Sequence, residues 1–249
     1  MRDKRYESVA GKDRNMMVCR ELSIVQHFWL DKFPDEDGYI DSLWEMWESR
    51  IRKGHEGEEA LISKAANRWE STLTKEQREL MPDDMFADDI WHTLQLTNAM
   101  YAAMIVSLWS CVECYLKDLL RVCKRAKHPN KKCSVHNWGI ERIKKGFEKD
   151  VNVKLEKEPN YAVVNAVRVL SNSFKHSEGY YLPKEGKPHT QIDADLLTRW
   201  KCISDRFIKH MEIDYTKLPV KELVVTCGAF CRGLLSETKK NLEGLGHGI

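Results

Sequence analysis

The sequence predicts an all-α fold, and three observations carry that prediction. Apolar side chains recur at helical spacing in segment after segment. The segments are separated by short stretches holding proline, glycine or asparagine. One segment, Asp88 to about Lys127, keeps the pattern throughout, with Leu94, Tyr101, Leu108 and Tyr115 at a seven-residue step and Ile105, Val112 and Leu119 between them. So much apolar surface implies cover on two sides, which makes this the central helix.

The other elements follow in order. Residues 1–15 are polar and expected to fray. Asn15 to Phe33 reads as a helix with Met17, Leu22, Val25 and Trp29 inward, closed by the turn Pro34-Asp35-Glu36-Asp37-Gly38. Tyr39 to Lys53 reads as a second helix, which Gly54 and Gly57 are expected to break. Glu58 to Leu80 follows, with Thr72–Thr74 as its point of weakness and Pro82 as its end. Beyond the central helix, His128-Pro129-Asn130 makes a stop, and Trp138 to Lys149 is a shorter helix. Pro159 to Gly179 is helical, and Gly179 to Gln191 is a loop or small hairpin. Asp193 to Met211 and Pro219 to Glu243 complete the set, the last with Leu223, Val224, Cys227, Phe230, Cys231 and Leu234 inward. The layout divides into an N-terminal helical extension, residues 1–87, and a helical domain, residues 88–249.

Composition narrows the functional classes. With 42% hydrophobic and 31% charged residues the chain has the make-up of an ordinary globule. Its net charge of +2 means that any nucleic-acid surface is a local patch. No apolar core follows the basic residues at the start, and the most apolar run, Ala99 to Val112, is shorter than the roughly 20 residues of a membrane span. A cytoplasmic protein without membrane contact is expected. The eight cysteines then imply no disulfide framework, and Cys111/Cys114 and Cys227/Cys231 read as small core residues. No glycine-rich phosphate loop, GxSxG elbow or HExxH helix is present, which argues against P-loop hydrolysis, serine-hydrolase chemistry and zinc proteolysis.

Chemistry concentrates on PNYAVVNAVRVLSNSFKHSEG, residues 159–179. Val163, Val167, Leu170 and Phe174 share one side of the helix, and Asn165, Arg168, Asn172, Lys175 and His176 gather opposite, at about 100° per residue. Pro159 and Asn160 open the helix and Gly179 closes it. Arg168, Asn172 and His176 form an i,i+4 ladder, and His176 sits in the final turn, where exposed carbonyls favour a protonated imidazole. A histidine can move a proton near neutral pH, and cations or amides can steady a phosphorane. The same face is equally what any solvated helix presents.

These residues resemble the HEPN superfamily, helical domains whose best-known members are metal-independent endoribonucleases. The family signature is an arginine, usually followed by a polar residue, then a histidine after four to six positions. Ser171-Asn172-Ser173-Phe174-Lys175-His176 is similar to the arginine–asparagine form with serine in the arginine's place, and the nearest arginine upstream is Arg168. Met100 to Leu120, with Glu113 inside an apolar run, resembles the family's early core helix, so the likeness spans about residues 88–245. The resemblance implies a HEPN-like helical bundle preceded by the extension, and an endoribonuclease of toxin or phage-defence type acting on RNA as a homodimer. His176 would be general acid or base, Arg168 the phosphate contact, and Asn172 and Lys175 supporting groups, with no cofactor and no metal. An antitoxin or defence-system partner fits this setting. Serine at position 171 equally fits a non-catalytic member that binds a nucleotide or a partner.

Three further features have plain readings beside functional ones. Glu113 is expected to face a polar strip beside Lys117, with pairing to Arg168 or His176 as the functional alternative. Cys123, His128, Cys133 and His136 lack the short paired spacing of zinc ligands. Arg121, Lys124, Arg125, Lys127, Lys131 and Lys132 either hold an RNA backbone or answer the dipole of the central helix.

Overall fold

The computed structural model describes residues 16–80, 86–177, 180–181, 200 and 211–244. The expectations for residues 1–15, Pro82, Gly179, Cys202, the tail, and nearly all of the loop and helix between 182 and 210 lie outside the described residues. Within them the fold class is all-α. The helices are α1 (16–25, continuing as a π turn Gln26–Leu30), α2 (Leu43–Glu70), α3 (Lys75–Glu79), α4 (Ala87–Lys127), α5 (Ile140–Val151), α6 (Tyr161–Ser177) and α7 (Val220–Gly244). A two-residue antiparallel pair, β1 (Tyr180–Tyr181) with β2 (Met211–Glu212), sets Tyr180 opposite Glu212. Met211, expected to end a helix, is in this ladder. By contacts the described residues group into two compact units, one from 16–42, 107–169 and 221–244, the other from 43–106 and 170–220.

In the first unit, α1 buries Val18, Leu22 and Val25, while Met17, expected inside, is 51% exposed. The wider π turn inserts a residue and re-phases the end of the helix. There the Trp29 indole N–H donates to Asp118 Oδ2 of α4 at 2.8 Å. Phe33 is fully buried beside α7, so close that a Cβ on Gly228 would stand 2.7 Å from its own Cβ. Arg232 Nη1 donates to the Phe33 carbonyl at 2.7 Å. All six inward positions read for α7 are buried, and the Tyr115 hydroxyl of α4 donates to the Cys231 carbonyl at 2.7 Å. On α5, Ile143, Phe147 and Val151 are buried, and Asn152 ends the helix in the left-handed conformation, φ 60°.

The second unit corrects one expectation. Gly54 and Gly57 do not break the chain: α2 runs through both for 28 residues. A helical glycine costs only about 1 kcal/mol relative to alanine, which the glutamate-, lysine-, alanine- and leucine-rich flanks offset. The break comes at Ser71–Leu73, followed by a capping box in which Thr74 and Gln77 bond each other's backbone N–H at 2.9 and 3.3 Å. In α2 the His55 Nδ1 lies 3.1 Å from the Thr97 hydroxyl of α4. Asn98 accepts from the Tyr215 N–H at 2.7 Å, and the fully buried Tyr215 donates its hydroxyl to the Leu170 carbonyl at 2.8 Å.

By length and composition α4 is the one described helix long and apolar enough to cross a membrane. Its apolar side chains Met104, Ile105, Leu108, Val112 and Leu119 are buried inside the molecule.

Candidate functional site

Asn160 adopts φ 68°, and α6 begins at Tyr161. Its buried sector is wider than its apolar residues indicate. Val167 and Leu170 are fully buried as read, Val163 and Phe174 only partly. Ala166, Val169, Ser171 and Ser173 are buried as well. Ser171 has no solvent exposure, and its hydroxyl has no hydrogen-bond partner among the described residues. An arginine at that position would be driven into the core and not toward a ligand.

The four predicted site residues divide into two sets. Asn172 is half-buried, and Lys175 and His176 are exposed in the last turn. Arg168 is half-buried, and its described hydrogen bonds run away from Asn172. Its Nε and Nη2 both donate to Asn165 Oδ1, at 3.1 and 3.0 Å, in the opposite direction along the helix. Long side chains on a helix lean toward its N-terminus, which favours this partner. Arg168 and His176 are eight residues apart, about 12 Å along the axis.

Around Arg168 lies a charged network that sequence reasoning missed. Lys144 Nζ of α5 is 3.1 Å from both Glu141 Oε1 and Glu156 Oε1, and 5.5 Å from the centre of the Tyr161 ring. Burial alone would depress the Lys144 ammonium, but its bonds to Tyr161, Glu156 and Glu141 outweigh that and raise it. Burial lowers Arg168, opposed by the nearby Tyr161 and Glu141. The i,i+3 spacing of Glu141 and Lys144 was a visible signal. The approach of Glu156 and Tyr161 depends on the turn at Asn152 and had none.

The other features that the sequence singled out are placed as follows. Glu113 pairs with Lys117 at 2.7 Å. Four of the six clustered cations have acceptors inside the chain: Arg121 with Asp118 at 3.0 Å, Lys124 with Asp150 at 2.8 Å, Arg125 with Glu21 at 2.8 Å, and Lys127 with the Lys149 carbonyl at 3.1 Å. Lys131 and Lys132 are exposed on the turn that follows. Among the described residues no group of three or more His, Cys, Asp or Glu side chains forms a metal cage. Cys123 is fully buried, with its thiol pushed up to about 12 by burial. Cys227 and Cys231 are core residues, whereas Cys111 is half-buried and Cys114 exposed.

Comparison with family models, with curated proteins and with solved structures finds no match for this chain.

Proposed function

We propose that the chain is a metal-independent endoribonuclease of toxin or phage-defence type, a HEPN-like bundle over residues 88–249 with the extension 1–87. It would act in the cytoplasm as a homodimer and be restrained by an antitoxin or defence-system partner. The observation that supports this is the exposure of His176 and Lys175 side by side in the last turn of α6. In this reading His176 moves the proton of the attacking ribose hydroxyl or of the leaving oxygen. Lys175 supplies the cation at the reacting phosphate, and Asn172, one turn back, orients the imidazole or donates to a phosphate oxygen. Arg168, expected as the phosphate contact, is held against Asn165 by two hydrogen bonds. The test is cleavage of cellular RNA in the presence of EDTA by the wild type and by His176→Ala, with folding checked by circular dichroism. Cutting that the substitution abolishes supports the nuclease; no cutting by the wild type removes it.

The second reading is a non-catalytic member that binds a nucleotide or protein partner. The burial of Ser171 favours it, since the position that carries the family's arginine faces the core. Nucleotide binding by a wild type that cuts no RNA would select it.

A further inference from the structure

We infer that the first unit carries a binding track for single-stranded RNA in the groove between α1 and the C-terminal part of α4. The inference rests on RNA being the substrate, as proposed above. Two hollows, of about 580 and about 220 Å³, adjoin at the Glu21–Arg125 ion pair, which lines both. Phe28 and Trp29 wall one end, and Lys131 and Lys132, with the turn at Pro129–Ser134, wall the other. Arg121 and Arg125 lie between.

The chemistry fits a strand of unpaired nucleotides. Four cations face two carboxylates, Glu21 and Asp118, so the groove is a local positive patch on a nearly neutral chain. Each carboxylate holds one edge of an arginine and orients it, while the Arg121 and Arg125 side chains stay 32% and 46% exposed. Beneath them two atoms are closed to water and have no partner among the described residues, the donor Arg121 Nε and the acceptor Glu21 Oε2. A donor left so is costly, and turning it onto a phosphate oxygen would satisfy it. Phe28 is 56% exposed, edge-on to Trp29 at 4.8 Å, with Lys32 Nζ 4.2 Å from its ring centre. An exposed aromatic ring beside cations can stack an unpaired base, here in place of the Lys32 ammonium over it, and offers little to a duplex, whose bases are already stacked.

Fluorescence anisotropy of a fluorescein-labelled mixed-sequence single-stranded RNA tests this, with the full chain in EDTA. The His176→Ala background keeps the strand intact. Lys131→Glu with Lys132→Glu is expected to weaken binding at least tenfold and to reduce the salt slope by about one to two. Phe28→Ala is expected to weaken it about fivefold or more. Both changes are at exposed positions, and Lys221→Glu with Lys240→Glu, an equal charge change elsewhere, is expected to cost less than twofold. Equal loss in that control, undiminished binding by the groove variants, or no binding at all overturns the track. Groove-dependent binding without cutting of any RNA keeps the track and removes the nuclease. Cutting that needs His176, with binding indifferent to the groove variants, does the reverse.

Discussion

The two ends of α6 carry similar side chains in opposite circumstances. At Arg168 the guanidinium is half-buried, clamped twice by Asn165 and set near Glu141 and Tyr161 beside the Lys144 network. At Lys175 and His176 the side chains stand in water at the end of the helix. Both belong to the same polar face on a helical wheel. On this helix the fold supplies an acceptor to the guanidinium at one end and leaves the two side chains of the last turn open to solvent.

The largest effect should come at the exposed end. If the nuclease reading holds, His176→Ala lowers the cleavage rate at least a hundredfold while urea denaturation finds its stability unchanged within about 0.5 kcal/mol. Arg168→Ala should do the opposite: cutting falls less than tenfold, and stability drops by about 1–2 kcal/mol through lost contact and an unanswered Asn165. A rate loss at Arg168 as large as that at His176 would break the comparison, since the committed cation would then be catalytic.

Periodicity made much of this fold legible. α4, α5 and α7 lie within two or three residues of their expected bounds, and the inward face of α7 is as read. What the pattern could not carry were relations across the chain. Arg125 and Glu21 are 104 positions apart and Lys124 and Asp150 are 26 apart, so the acceptors of these cations could not be read from local spacing. Ser171 and Ser173 are buried like alanines, which a hydrophobic pattern does not register. The exposed Lys175–His176 pair was legible because local spacing and a helix end decide it. The clamp on Arg168 was not, because Asn165 competes with Asn172 for the same guanidinium and both are at helical spacing.

The glycines of α2 give a milder test of local rules. Nothing stands within 4 Å of a Cβ built on Gly54 or Gly57. Alanine at either position should therefore stabilise the chain by about 0.5–1 kcal/mol, seen as a higher urea midpoint with an unchanged slope. A loss instead would mean that the helix needs those positions small for a reason other than its own folding.

The smallest effect sharpens the comparison at the committed end through pH. Burial raises the Glu156 carboxyl, but its own backbone N–H and the Lys144 ammonium outweigh this, and the net shift is downward. A carboxyl depressed in the folded state contributes stability that is present above the unfolded value, about 4.3, and is lost as pH falls through the lower folded one. The side chain is 52% exposed, so the contribution is discounted for solvent screening to a few tenths of a kcal/mol. Glu156→Gln should cost that amount at pH 7, and the gap from wild type should close below about pH 4. In a Lys144→Gln background the same substitution should cost less, because the cation that depresses the carboxyl is gone. An undiminished cost there would assign the shift to the backbone bond and Lys154, and take Lys144 out of the network that distinguishes this end of α6 from the other.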